Sequence, residues 1–320
     1  MMKNLFTILI FLLFVNITYC QDYTEIDQHA RSVKYTKDLA KLTDKLTSPY
    51  GDELSKVRAI FTCLVNNIEY DHKKLEKMKS AGYKTGKFHG SKEEIKRQRL
   101  EQIQEFIEET LEDKKGVCQD YAYLFQAMCF HAGIECEFVT GAGKNNPAYI
   151  GKANIPERHA WNAVKIDGKW ELVDVTWSTG MGVKEDFGNG FFKLPPQTMI
   201  MSHYPTDQKW QLLDTIVSKQ FFADLPFLNP GFIKYEVSDI QPFSGKIRPK
   251  QSISCKANLP DGSRLAIYKN RVLQKIPVTF DGERYHFDMS EKAIYGMIDV
   301  CIMLPTGRVE PLYSLKITDQ

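Results

Sequence analysis

Three residue types that together can break an amide bond occur in order within residues 114–177. Cys118 follows the turn KKGV and opens CQDYAYLFQAMCFHAG, His159 opens HAWNAVKI, and Asp174 closes KWELVD. A thiolate can attack a carbonyl carbon, an imidazole within reach can take and return the proton, and a carboxylate can fix the imidazole's tautomer. The unpaired amides and positive dipole end of a helix start favour negative charge on such a sulfur, and Gly116 permits a tight approach to it. Taken singly, each residue has a plainer role: a packed small side chain, an incidental strand histidine, an aspartate uncommon in strands. Their joint placement is what points to nucleophilic chemistry.

The elements that must position them follow from spacing. Tyr121, Leu124, Phe125, Met128 and Ala132 recur at helical intervals and stop at Gly133, so Cys118 lies on a first helical turn. Residues 134–140, 158–166 and 170–176 have the pattern of strands, the last two joined by Asp167-Gly168, a strong hairpin signal. A two-residue loop pairs Ile166 with Lys169 and sets His159 opposite Thr176. Asp174 is then diagonal to His159 on the same face, with Cα atoms about 7–8 Å apart. A three-residue loop would turn Asp174 to the other face. By this register Trp161 shares the face of His159 and Trp177 falls on the other parity. Trp161 and Gln119 are candidate substrate contacts, with a core role the alternative for both tryptophans. The Cys118 amide is the natural first oxyanion donor, and the second is expected from the region of Gln119 or Tyr70.

Upstream, Leu54, Val57, Phe61, Leu64 and Ile68 predict a core helix over 52–68 with Ser48 and Asp52 as caps, and a weaker surface helix is expected around 36–46. Residues 72–99 are rich in Lys, Glu and Gly and read as a charged insertion or loop. Ser91 followed by Glu94 is a capping-box pattern for a helix running toward Asp113. Beyond a glycine-containing loop at 178–190 the segment FFKLPPQTMIMSHYPTDQKWQLL has no periodicity. After Phe232, short alternating runs are separated by Pro260-Asp261-Gly262, Asp281-Gly282 and Thr306-Gly307, which predicts a small all-β sandwich. The expected organisation is a leader at 1–20, a catalytic domain at 21–225 and the sandwich at 226–320.

At 320 residues the chain has room for two domains, and 42 Lys+Arg against 40 Asp+Glu give no electrostatic reason to expect a nucleic-acid partner. Residues 1–20 place a lysine before a short apolar run, the pattern of a secretory signal, and no later stretch is long enough for a transmembrane anchor. Export to a secreted or periplasmic location is expected. Tyr19 is bulky where a lipoprotein signal takes a small residue, which favours cleavage after Cys20 over lipidation. Of the remaining cysteines, Cys255 and Cys301 could bridge the sandwich, while Cys63, Cys129 and Cys136 have apolar surroundings expected of buried thiols. Cys129, His131 and Cys136 lack a fourth ligand at familiar spacing, so no metal site is expected.

GVCQDYAYLFQAMCFHAGIECEFVTG, HAWNAVKIDGKWELVDVTW and the upstream VRAIFTCLVNNIEYD together resemble the transglutaminase-like superfamily, and the segment FFKLPPQTMIMSHYPTDQKWQLL resembles the extension in its kyphoscoliosis peptidase-like branch. The resemblance covers roughly 50–225 and departs from the family at Cys63, where a tryptophan is common. It implies an α+β, papain-like core of helices on an antiparallel sheet, with Cys118 as nucleophile, His159 as base and Asp174 as orienting residue, and a chemistry that needs no cofactor. The expected function is that of an exported cysteine enzyme acting on peptide or glutamine amides of a protein or peptide substrate. Water resolving the thioester gives a peptidase or deamidase, and a lysine amine gives a crosslinker; the branch resemblance favours hydrolysis. The competing expectation is a scaffold that keeps the fold and engages a protein or surface partner through the sandwich.

Overall fold

The computed structural model describes residues 22–81, 88–180 and 190–319; the expected leader and most of the loop after Gly180 lie outside them. Helices Thr24–Ser32, Leu39–Thr47 and Glu53–Asn67 form the N-terminal layer. The second is more than a surface element, because Leu42 and Leu46 are fully buried while its lysines face out. Asp38 and Asp52 cap the second and third helices by accepting amides from Lys41 and Ser55. Arg58 of the third helix is buried and forks onto Asp27 through Nε–Oδ1 at 2.7 Å and Nη2–Oδ2 at 2.6 Å, clamping the first helix to it.

The chain then makes a two-residue parallel bridge, Glu69–Tyr70 against Lys115–Gly116. Helix His72–Ser80 follows, capped by Asp71, where a solvated loop was expected. Its lysines mask a pattern carried by Leu75 and Met78 alone. Helix Lys92–Asp113 starts with the expected Ser91–Glu94 capping box, and its end leads through the bridge into helix Cys118–His131.

Tyr121, Leu124, Phe125, Met128 and Cys129 of that last helix are buried. At about 1.5–3 kcal/mol per large side chain, their packing outweighs any dipole or cap contribution in placing it. Three hydrogen bonds set its final position: the Tyr121 hydroxyl to the Ile68 carbonyl, Gln126 to the Cys136 carbonyl, and Asn162 to the Ala122 carbonyl, at 2.8, 2.7 and 3.0 Å.

The helix packs on a four-stranded antiparallel sheet with the order Lys169–Val173, His159–Ile166, Cys136–Gly143, His203–Pro205. The hairpin has the even loop: Ile166 pairs with Lys169, and Asp167 and Gly168 both have positive φ, at 50° and 76°. Val164, Ile166 and Val173 face the helices, while Val139, Trp161, Ala163 and Leu172 face the other way. The segment expected to be irregular supplies the fourth strand, whose three residues are too few to show a period.

Beyond Pro226 two further sheets form a sandwich. One has the order Val278–Phe280, Tyr285–Phe287, Ile253–Lys256, Ser238–Gln241; the other runs Val272–Gln274, Arg264–Lys269, Gly296–Met303, Val309–Ile317, Phe227–Leu228. Its core of Ile253, Phe287, Ile267, Val300 and Tyr313 belongs to one buried cluster with Val139, Trp161 and Leu172 of the first sheet. Cys255 and Cys301 do not bridge: both are buried free thiols on different sheets, and burial pushes them up to about 11 and about 12.

Gly141 is where the central strand, the histidine strand and the fourth strand come closest. A Cβ there would lie 2.1 Å from the Tyr204 carbonyl oxygen and 2.7 Å from the Trp161 ring. Gly141→Ala should therefore destabilise the protein by about 1–3 kcal/mol, read as a fall in thermal unfolding midpoint. An unchanged midpoint would contradict the close packing of these three strands.

Candidate active site

Cys118 is the first residue of its helix and half-buried, with its sulfur 3.8 Å from the Arg158 carbonyl oxygen. The next residue, His159, begins its strand opposite Gly141, and its ring is a hydrogen-bond partner of the Cys118 side chain. The His159 Nε2 is 2.6 Å from Asp174 Oδ2, which leaves Nδ1 as the ring nitrogen available to the sulfur. The structure thus brings Cys118, His159 and Asp174 into one chain of contacts.

Asp174 arrives by a route other than the one expected. The strand ends at Val173, and Asp174 lies at the start of helix Val175–Gly180, not on a diagonal strand position. Its Oδ1 accepts the Trp177 amide at 2.9 Å in the manner of an N-cap. The capping preference of Asp before V-T-W overrides continuation of the strand. The same change moves Trp177, whose ring comes to 5.0 Å from His159. Trp161 stacks on the imidazole at 5.7 Å but is only 2% exposed, so it supports the histidine from within and cannot wall a groove. Gly143 provides the space: a Cβ there would be 3.3 Å from His159 and 3.1 Å from Trp177. Gln119 is half-buried beside Cys118, and Tyr70 pairs with Gly116 two residues before it.

Two participants are absent from the sequence reading. His203 is buried, with Nε2 at 2.9 Å from Asp174 Oδ2 and Nδ1 at 2.7 Å from the Ser202 hydroxyl. The available signal was a Ser-His pair set in the apolar context MIMSHYP, where a polar pair must find partners. The other is Lys74, from the stretch expected to be a loop. It reaches Asp120 Oδ2 at 2.8 Å, and that same oxygen accepts the Val117 amide at 2.9 Å, one residue before the nucleophile candidate. Burial raises the Asp120 carboxyl, opposed by Lys74 and the Val117 amide.

Electrostatically the centre is one buried anion between two different imidazoles. Burial alone would raise Asp174, yet the His159 charge and the His159 and His203 hydrogen bonds hold it well below the usual carboxylate range. His159 is also desolvated, but Asp174 and Cys118 lift it to about 10. His203 is pushed down to about 4, chiefly by burial, with its bond to Asp174 insufficient to offset this. His159, Asp174 and His203 have donor atoms within 4.8 Å of one another, close enough for a metal ion. However, both Nε2 atoms lie at hydrogen-bond distance from the same oxygen and so carry protons rather than lone pairs, which makes the cluster a hydrogen-bonded network. Elsewhere, His131 contacts Asp44 at 2.8 Å while Cys129 and Cys136 are buried.

The transglutaminase-like superfamily model matches residues 40–175. That stretch is similar to the transglutaminase-like superfamily. It contains Cys118, His159 and Asp174, whereas His203 lies beyond it. Kyphoscoliosis peptidase of Homo sapiens is 29% identical over 240 residues, covering 71% of this chain and 33% of that protein. Its Mus musculus counterpart is 26% identical over 249 residues, covering 76% and 34%. The chain therefore spans about a third of the length of these relatives. A solved structure described as a TGase aligns at 17% identity over 52% of this chain and 35% of its own, with a TM-score of 0.28. Among the described residues no helix is long and apolar enough to cross a membrane.

The depressed His203 value gives a signed prediction. The unfolded chain takes up a proton below its ordinary 6.5 that the folded chain refuses until about 4. Stability present above pH 6.5 is thus lost as pH falls through that window, by roughly 3 kcal/mol. Denaturation between these two pH values should show this slope in the parent and a flatter one in His203→Gln. Equal slopes would show that His203 is not held neutral.

Proposed function

We propose that the protein is an exported cysteine enzyme that cleaves amide bonds of peptide or protein substrates through a thioester. The observation that carries this is the contact chain Cys118–His159–Asp174, with His159 Nε2 bonded to a fully buried carboxylate and its other nitrogen left for the sulfur. The Cys118 thiolate adds to the carbonyl carbon, and the resulting oxyanion is met by the Cys118 amide at the helix start. As the tetrahedral species collapses, the C–N bond breaks and the His159 imidazolium gives its proton to the departing amine. Neutral His159 then deprotonates a water, which attacks the thioester, releases the carboxylic acid and restores the thiolate–imidazolium pair.

A lysine amine in place of water would make an isopeptide crosslink by the same steps, so the acceptor is chosen by access to the thioester and not by the triad. Hydrolysis is favoured because the relatives that cover most of this chain carry the name peptidase. Export is inferred from the signal pattern of residues 1–20 alone.

Two measurements test this reading. Cys118→Ala should lower amide cleavage of a reactive peptide-library member on the order of ten-thousandfold or more, with fold retained. Full activity in Cys118→Ala would overturn the assignment. Running the library with and without an added amine separates hydrolysis from transfer. Because His159 must be protonated when the amine departs, activity should fall as pH rises through about 10. An alkaline limb near 6.5 would mean that Asp174 does not support the imidazolium.

A further inference from the structure

A carboxylate that orients a histidine must itself be prevented from turning. Asp174 Oδ1 is held by the Trp177 amide at 2.9 Å, and Oδ2 receives His159 at 2.6 Å and His203 at 2.9 Å. We propose that His203 is a positioning residue for the Cys118–His159–Asp174 site: a neutral imidazole that donates its Nε2–H to the carboxylate oxygen shared with His159, in a tautomer fixed by that carboxylate, with Nδ1 turned to Ser202. This rests on the function proposed above and adds to it a fourth and a fifth residue, neither of which lies in the matched domain.

The tautomer follows from hydrogen-bond accounting. Asp174 can only accept, so His203 Nε2 must carry a proton. If the ring is neutral, Nδ1 has a lone pair and must accept from the Ser202 hydroxyl, 2.7 Å away. If the ring were charged, two imidazolium groups with centroids 5.2 Å apart would flank one fully buried carboxylate. Among the described residues, those packed against the ring are aromatic and uncharged: Trp161, Trp177 and Phe191 lie at 4.9, 4.4 and 5.4 Å. The nearby Lys144 turns away, its ammonium bonding the Phe222 and Leu225 carbonyls at 2.6 and 3.0 Å.

The backbone gives His203 a fixed origin. It pairs with Gly143, the residue on which His159 and Trp177 close, and the Lys144 amide bonds the Ser202 carbonyl at 2.7 Å. The ring that orients Asp174 and the ring that Asp174 orients are therefore set by the same central strand. A purely space-filling histidine would need neither the Ser202 bond nor the choice of Oδ2.

The test compares the full chain with His203→Gln, which keeps an N–H at the Nε2 position, and His203→Leu, which does not. The readout is the rate at which iodoacetamide alkylates Cys118 as a function of pH, together with kcat and KM on any amide substrate found. His203→Leu should slow alkylation at neutral pH on the order of a hundredfold, as expected for a misplaced catalytic group. The alkaline limb of kcat should move to lower pH, because a carboxylate free to turn supports the His159 imidazolium less. Loss should appear in kcat and not in KM, and His203→Gln should recover to within about tenfold of the parent. A Leu variant with parental rate and pH profile, or a Gln variant no better than Leu, would overturn the proposal. Should His203→Leu not fold, the ¹⁵N shifts of the unsubstituted protein decide: a neutral ring with its proton on Nε2 near neutral pH is expected, and a doubly protonated ring or a proton on Nδ1 refutes it. The alkylation rates and the ¹⁵N shifts need no amide turnover. Activity surviving Cys118→Ala would therefore defeat the proposed function while leaving the state of His203 to be judged on its own.

Discussion

The structure turns on one buried anion. Asp174 is fully buried, and an unpaired carboxylate there would be unfavourable by several kcal/mol. It is tolerated because three donors from three elements converge on it: the histidine strand, the helix that follows Asp174 itself, and the short strand beyond the glycine-containing loop. None of these elements can shift without leaving the charge uncompensated. That penalty ties His159 to a single position more tightly than the favourable part of any one hydrogen bond would, since a lost partner costs more than a made bond returns.

A second buried carboxylate does a similar job at the Cys118 end. Asp120 accepts the amide that precedes Cys118 and is matched by Lys74. Both aspartates lie at helix starts, where backbone amides and the dipole favour a negative charge. The sulfur and the imidazole are thus each placed by an anion at the head of a helix, one capping the turn into Cys118–His131 and the other the turn into Val175–Gly180. Apolar packing supplies most of the binding of these helices to the sheet, and the carboxylates select the last ångström.

The sandwich is continuous with this arrangement through its core. Trp161, under the imidazole, belongs to the same buried cluster as Phe287, Val300 and Tyr313. The matched domain ends at residue 175, yet the network that holds Asp174 is completed at residues 202–203. The network around Asp174 is consequently distributed over more of the chain than the transglutaminase-like match alone.

What the sequence by itself determined is most of what is local, the helix His72–Ser80 and the Asp174 cap excepted. Helical spacing from Tyr121 to Met128 with Gly133 as stop placed Cys118 on a first turn, the Asp167-Gly168 pair set an even hairpin, and the Ser91–Glu94 box marked a helix start. Each depends on contacts within a few residues, where propensity and capping chemistry act directly. What only the tertiary structure decided is which distant groups share the buried site. Asp174 on His159, Trp177 over the imidazole, Lys74 on Asp120, and His203 on Asp174 all arise from segments distant in the sequence meeting in the fold. Burial then converts those meetings into fixed charge states, because an anion removed from water must find its partners wherever in the sequence they lie.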